Sequence, residues 1–342
     1  MSTGTAHQRG EREVNVVEVE DLRVHFSRRR GVTVRAVDGV SFTVAPGETL
    51  GLAGESGSGK STVARALLRI TDPAGGRVRI GGRDIAGLRG AALKTFRRQM
   101  QMVYQDPYDS LDPRMRIGAT VEEALSVRGL PAGERPARVR ELLERVGLPA
   151  ALATRYPHEL SGGQRQRVSI ARALGVDPAV IACDEAVSAL DVSVRAQILN
   201  LLKDLQEDSG LAYLFISHDL STMRFAADRI AIMYLGRLVE IGTRDQVFGA
   251  PRHPYTQALL AAVPVPGARR TGPRVRLAGE PPSPADPPAG CAFHPRCPLA
   301  EEICRTVRPE LAVKRGGQLT ACHLAPEPER NPGPERNPEV TP

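Results

Sequence analysis

Tryptophan is absent, and aromatic residues make up only 4% of the chain. That scarcity argues against a nucleic-acid reader that stacks bases on aromatic rings. Lysine is nearly absent too: Lys60, Lys94, Lys203 and Lys314 are the only lysines among 46 basic residues. The formal charge of +7 therefore rests on arginine spread along the whole chain. This reads as overall composition rather than a DNA-binding stripe, so no nucleic-acid partner is expected. No apolar run approaches the roughly 18 residues of a bilayer-spanning helix. The polar start of the chain lacks the apolar stretch of a secretory leader, so a cytosolic protein is expected. Cysteine is also sparse, at five, and in a cytosolic chain that argues against a disulfide framework.

The 342 residues, 41% of them hydrophobic, suffice for one large domain plus an appendage and exclude global disorder. Residues 1–13 read as a disordered arm. Two β-rich stretches, 16–20 and 34–37, flank the basic turn Arg28-Arg29-Arg30-Gly31. A strand over 48–53 runs into a glycine-rich loop, and a helix is predicted from Ser61 to Ile70. Apolar spacing of three to four predicts helices over 121–127, 135–146 and 164–174, within a helical insertion at about 114–175. The short apolar runs 179–183 and 211–216 read as strands buried on both faces, with Cys183 as plain core packing. From Pro264 onward lie 17 of the 28 prolines. That density excludes a regular sheet or a long helix there. Pro-Glu-Arg-Asn-Pro occurs at 328–332 and again at 334–338, the mark of a solvated tail from about 326. The expected architecture is α/β: a core domain over 14–262, a Pro-rich C-terminal module over 263–325, and the tail.

The loop Gly54-Glu55-Ser56-Gly57-Ser58-Gly59-Lys60-Ser61, followed by Thr62, fits G-x-x-x-x-G-K-[ST] between a strand and a helix. Glycines let backbone N–H groups turn inward around phosphate oxygens, and the next helix adds its positive end. Lys60 would reach the β- and γ-phosphates, and the Ser61 hydroxyl would bind Mg²⁺. The strand Val180-Ile181-Ala182-Cys183-Asp184-Glu185 ends in two carboxylates. Asp184 would hold Mg²⁺ through its water shell, and Glu185 is placed to polarise an attacking water as general base. Each of these motifs has a bland reading on its own, a glycine turn or a strand end; together they point to ATP.

Between them, Leu160-Ser161-Gly162-Gly163-Gln164 opens a helix. In this order the motifs resemble the ATP-binding subunit of an ABC transporter over roughly residues 15–250. The resemblance implies a P-loop NTPase core of ABC type with an antiparallel β subdomain and the helical insertion. It further implies that Gln105 contacts Mg²⁺ and water, that Ser188-Ala189-Leu190-Asp191 crosses a dimer interface, and that His218 orients the water and Glu185. Ser161, Gly162, Gly163 and Gln164 would meet the γ-phosphate held by a second copy stacked head to tail. Phe26 is the aromatic expected to stack on adenine. The chain departs from relatives at Ala186, where they usually carry Pro; this is expected to loosen a turn rather than remove chemistry.

Cys291, Cys297, Cys304 and Cys322 cluster late in the chain at spacings unlike a zinc finger. Their surroundings resemble the C-terminal extension of oligopeptide/dipeptide importer ATPases, as do Pro254-Tyr255-Thr256-Gln257-Ala258-Leu259-Leu260 and residues 105–114. Some members of that group carry a [4Fe–4S] cluster, which is the favoured ligand of the four thiolates here, ahead of free thiols and of zinc. The resemblance implies ATP hydrolysis powering di- or oligopeptide uptake at the cytoplasmic face of the membrane. The implied partners are two permease subunits, a second ATPase and an extracytoplasmic binding protein. Nickel or another small solute is the alternative cargo, and a soluble ABC ATPase acting on nucleic acid is the more remote one.

Overall fold

A computed structural model describes residues 15–27, 32–105, 110–262 and 279–327. The first strands, β1 (Val17–Ser27) and β2 (Thr33–Val44), form an antiparallel hairpin. After β3 (Thr49–Ala53) and α1 (Lys60–Leu67), β4 (Gly75–Ile80) returns to pair with β1, and the short β5 (Arg83–Asp84) closes the edge. The result is a four-stranded antiparallel sheet ordered β2-β1-β4-β5.

The second sheet carries the chemistry. Helix α2 (Gly90–Gln99) leads into β6 (Met100–Val103), and the helical insertion follows as α3 (Ile117–Arg128), α4 (Arg135–Arg145) and α5 (Gly162–Leu174). Then come β7 (Val180–Asp184), α6 (Val192–Ser209), β8 (Ala212–Ser217), α7 (Leu220–Ala226), β9 (Arg229–Tyr234) and β10 (Arg237–Thr243). Strands β6, β7, β8, β3 and β9 lie parallel, side by side in that order, with β10 antiparallel at the end.

Every residue of β7 and β8 is buried. Successive side chains of a strand point to opposite faces, so an apolar run without alternation fits a sheet covered on both sides. The packing follows that rule. Ile181, Cys183, Tyr213 and Phe215 join the core shared with the helices, whereas Val180, Ala182, Leu214 and Ile216 join the core shared with α1 and the antiparallel sheet. Cys183 is fully buried, and burial pushes its thiol up to about 12.

The helical insertion holds by the same logic at another period. Ile117, Val121 and Leu125 recur every fourth residue on α3 and are buried against Val139, Leu142 and Leu143 of α4. Both helices run slightly differently from their sequence signal: α3 starts four residues earlier than the apolar spacing predicts. The predicted helix 61–70 ends at Leu67, with the left-handed Arg69 (φ 53°) closing it.

After α8 (Arg244–Gly249) and α9 (Pro254–Ala262), residues 279–327 form the C-terminal module, with α10 (Glu302–Thr306). Two-residue strands β11 (Ala312–Val313) and β12 (Leu319–Thr320) add to the edge of the main sheet, Glu240 pairing Thr320 and Ile241 pairing Leu319. The module is thus an extension of the core sheet, although its proline content excludes a regular sheet of its own. The predicted arm, the basic turn at 28–31, the module's start at 263–278 and the repeats beyond 327 lie outside the described residues. Pro326 and Glu327, placed in the tail by the sequence, are instead held by the Arg315 amide and Lys314.

Candidate functional site

Strands β3, β7 and β8 are parallel, so their carboxyl ends share one edge of the sheet, and all the candidate groups of the core emerge there. Beyond β3, Gly54 (φ 151°) and Gly59 (φ 106°) take conformations closed to side chains. A methyl on either would come within 2.2 Å of a carbonyl oxygen, that of Met233 or of Ala36. The loop is therefore wedged between β2 and the β9–β10 turn, where the Gly236 amide also donates to the Ser58 carbonyl at 2.9 Å. Ser56 and Gly57 at its tip are exposed.

Lys60 folds back under the loop. Its Nζ donates to the Gly54 and Glu55 carbonyls at 2.8 and 2.9 Å and reaches Ser58 Oγ at 3.4 Å. Burial lowers the Lys60 pKa, opposed by the charges of Glu185, Asp184 and Glu55. An ammonium held by neutral carbonyls and a hydroxyl in a buried cradle is suited to a polyphosphate. Thr62 sits half-buried one residue beyond Ser61 in α1.

Asp184 ends β7, and Ser61 Oγ donates to its Oδ1 at 2.7 Å. Burial raises the Asp184 carboxyl, with the Ser61 hydrogen bond opposing. A hydroxyl and a carboxylate are hard oxygen donors of the kind Mg²⁺ takes, so this pair fits the expected ion. Glu185 follows with φ 50°, left-handed and unfavourable for a residue with a side chain. The surroundings impose it: the Glu185 amide donates to the Ile216 carbonyl at 2.9 Å, and its own carbonyl accepts from the Ser188 amide and hydroxyl at 3.0 and 2.9 Å. That turn aims the carboxylate at His218, Oε1 to Nδ1, at 3.0 Å. Ala186 is buried in the same turn.

His218 is half-exposed just past β8. The next residue, Asp219, caps α7 through the Ser221 amide at 2.8 Å and pairs with Arg195 at 3.2 Å. Arg195 also donates to the Leu190 carbonyl at 3.1 Å, so the segment 188–191 is tied to the base of the histidine.

Gln105 follows the parallel strand β6 and shares this edge, whereas the remaining candidates stand apart from it. Ser161 caps α5, accepting from the Gln164 amide at 3.3 Å, while Gln164 Oε1 accepts from the Ser161 amide at 3.0 Å. Gly163 is buried where a methyl would meet Val194 Cγ1 at 2.5 Å, and Gly162 is half-buried. Asp191 caps α6, and the Val194 amide, at 2.9 Å, holds its carboxyl below the usual range. Phe26 is 42% exposed near the tip of the β1–β2 hairpin, paired with Val34. Gln105 is exposed just after β6, and 106–109 lie outside the described residues.

The expected cysteine cluster finds no support. Among the described residues no three His, Cys, Asp or Glu side chains gather as metal ligands. Cys291, Cys297, Cys304 and Cys322 are all free thiols. The Cys291 amide donates to the Cys304 carbonyl at 2.8 Å and the Cys297 amide to the His294 carbonyl at 3.2 Å, and the four thiols lie near enough to feel one another's charge. Burial raises the thiols of Cys291 (up to about 11), Cys297 and Cys322. A [4Fe–4S] cluster or zinc at these thiols is therefore not supported among the described residues.

What the sequence reading missed is the bracing of the loop. Glu55 is gripped by Arg296 and Tyr255, 241 and 200 positions away. No local pattern links residues so far apart. The one hint is that both stand in stretches that set the chain apart from a plain cassette.

Comparison with known proteins agrees with the geometry. A sequence model for the family described as ABC transporter matches residues 37–188, and one for the oligopeptide/dipeptide transporter C-terminal region matches 239–304. A probable peptide ABC transporter ATP-binding protein of Sinorhizobium fredii is 52% identical over 316 residues, covering 90% of each chain. An oligopeptide transport ATP-binding protein of Bacillus subtilis is 48% identical, covering 90% of this chain and 97% of its own. Among solved structures, cbiO1 of Clostridium perfringens, part of the ABC transporter complex cbiONQ, superposes with a TM-score of 0.62 at 28% identity, over 69% of this chain and 91% of its own. A dimeric ATP-binding cassette bound to ADP and Pi in a post-hydrolysis state gives 0.61 at 30% identity, over 67% of this chain and 98% of its own.

Proposed function

The chain belongs to the ATP-binding proteins of oligopeptide and dipeptide ABC transporters, an ATPase that powers peptide import, and we propose how its residues divide that work. Lys60 leaves the loop carbonyls for the β- and γ-phosphate oxygens as the loop amides close around them. Ser61 and Asp184 hold Mg²⁺, whose charge offsets that of the phosphates. Glu185 accepts the proton of the attacking water, and His218, at 3.0 Å, keeps that carboxylate aimed while facing the γ-phosphate. Phe26 would cover the adenine from the hairpin, and Gln105, just past β6, would contact the water and the ion.

Ser161, Gly162, Gly163 and Gln164 serve a second copy or sister subunit, as a helix start turned to that subunit's γ-phosphate. Asp191, capping its own helix, stands beside that contact. The division at about residue 262 separates the ATP-binding domain from the C-terminal extension. No helix among the described residues is long and apolar enough to cross a membrane. The translocation path therefore belongs to two permease subunits, with an extracytoplasmic protein delivering peptide and this chain at the cytoplasmic face. A groove of about 510 Å³ between α2 and the helical insertion, lined by Lys94, Arg97, Arg98, Glu123 and Arg172, is the surface that receives a permease helix.

One observation carries the catalytic reading: Lys60, the Ser61–Asp184 pair and the Glu185–His218 pair emerge from adjacent strands at one edge of the sheet. Its test is purification from membranes with the permeases, followed by ATPase assay with and without peptide-loaded binding protein. Stimulated turnover that disappears in Lys60→Ala is expected. Turnover that survives Lys60→Ala, or a chain that never copurifies with integral subunits, overturns it.

A further inference from the structure

The phosphate loop contains an acid where a triphosphate is to sit. Glu55 is the first residue after Gly54, and its carbonyl already holds Lys60 at 2.9 Å. A bare carboxylate there would repel the ligand that the loop is built to take.

The C-terminal module meets that acid. Arg296 donates from both terminal nitrogens to the two Glu55 carboxylate oxygens, at 2.8 and 2.9 Å. This is the planar two-pronged pairing that only a guanidinium makes. The Arg296 side chain is only 5% exposed. Its guanidinium lies 5.8 Å from the centre of the Tyr234 ring and donates to the Tyr234 hydroxyl at 3.4 Å. Bonding to Glu55 raises the Arg296 pKa, so the cation is permanent.

The clasp is anchored. Phe293, three residues earlier, is buried against Tyr234, Tyr255 and His253, with ring centres 5.4, 5.4 and 5.7 Å away. From the same cluster the Tyr255 hydroxyl accepts from the Glu55 amide at 2.9 Å. Glu55 is thus held at amide, carbonyl and carboxylate by three different parts of the chain.

We propose that Arg296 is a positioning residue for ATP: from the C-terminal module it neutralises the acid of the phosphate loop and fixes the loop in its receiving shape. The module is then a working part of the nucleotide site. This rests on the assignment of the loop to ATP.

The test uses the full-length chain, with ATP binding followed by titration calorimetry and ATPase activity in the assembled transporter. Arg296→Gln leaves the Glu55 charge unpaired, and the Kd and KM for ATP are expected to rise about tenfold while kcat stays within about threefold. Arg296→Lys keeps the charge without the fork and falls between. In the double variant Glu55→Gln/Arg296→Gln the unpaired acid is gone, and most of the lost affinity returns. Loss of packing alone would not be rescued in this way. It also keeps the proposal testable should Arg296→Gln fold poorly. Lys60→Ala is titrated alongside. If it abolishes ATP binding while Arg296→Gln does not weaken it, or if the double variant is no better than the single, the clasp is wrong and the nucleotide assignment stands. If Lys60→Ala binds ATP as the wild type does, both fall.

Discussion

The two phosphate-directed ends of this chain are built in opposite ways. At the loop end, Gly54 and Gly59 are pressed against the backbone of other strands, Lys60 is buried, and Glu55 is gripped from the C-terminal module. At the signature end, Ser161 and Gln164 satisfy each other within one helical turn, and Ser161 is exposed. The first end depends on contacts spanning most of the sequence; the second needs only its own cap. A site that must grip a ligand alone has to be rigid in advance, because ordering it on binding would cost affinity. A surface that meets its ligand on another subunit has to be presented and self-sufficient. The difference fits the proposed division of work, in which one chain carries one full cradle and the complement of another.

The largest effect should come from the loop end's chemistry. Glu185→Gln keeps the shape but removes the proton acceptor, and turnover should fall roughly 10²- to 10⁴-fold. ATP binding should persist, with dimers accumulating by gel filtration in ATP. Turnover near wild type would remove Glu185 from its role. Next, Lys60→Ala should raise the Kd for ATP by about 100-fold or more, since the loop loses its only ammonium. If instead its effect is matched by changes at Ser161 in the separate chain, the two ends are not independent and the comparison breaks.

A third prediction concerns pH. His253 is fully buried behind the loop end, and burial alone lowers its pKa to about 3. Its Nδ1 accepts from the Tyr255 amide at 3.0 Å, so it is neutral there, and its own amide donates to Glu240 at 3.0 Å. A group whose folded pKa lies below its ordinary value of 6.5 stabilises the fold fully above that value and loses the contribution as pH falls toward 3. Between pH 7 and 5 urea midpoints should report a loss approaching about 2 kcal/mol. His253→Asn, which cannot be protonated, should flatten the dependence. An equal slope in both proteins would clear His253.

How much of this was legible in the sequence follows from the same contrast. The loop and the Asp184-Glu185 strand end were expected from the residue types that phosphate and Mg²⁺ call for, and His218 from the resemblance alone; the fold brings all three to one edge. The cap at Ser161 could be read because capping is local. Helices α3 to α5 showed in their apolar spacing, though α3 begins four residues early, at Ile117, one repeat before Val121, and packs against the 3₁₀ turn over 150–154. The Arg296–Glu55 clasp was invisible because it joins residues 241 apart. Strand β12 was invisible because two residues become a strand only when Glu240 and Ile241 offer an edge. The cysteines mark the complementary limit: four thiols crowded in sequence also feel one another's charge in the fold, yet among the described residues they do not gather as a ligand set.

The smallest effect is the most direct probe of the signature end. Ser161→Ala removes the oxygen that accepts the Gln164 amide but leaves the backbone amide of residue 161 free to donate to Gln164 Oε1. Loss of such a cap costs about 1 kcal/mol. Denaturant midpoints of the separate chain should show that loss, and its ATP affinity should not change, because the loop end does not draw on this helix. In the assembled transporter, turnover should fall further than stability explains, since the hydroxyl is then missing from the partner's γ-phosphate. Ser161→Asn sharpens the reading: asparagine caps as well as serine does. Stability should therefore return, while turnover stays low if the hydroxyl's small size is what admits the phosphate. If Ser161→Asn restores both, the residue serves its own helix alone, and the two ends differ in construction but not in partner.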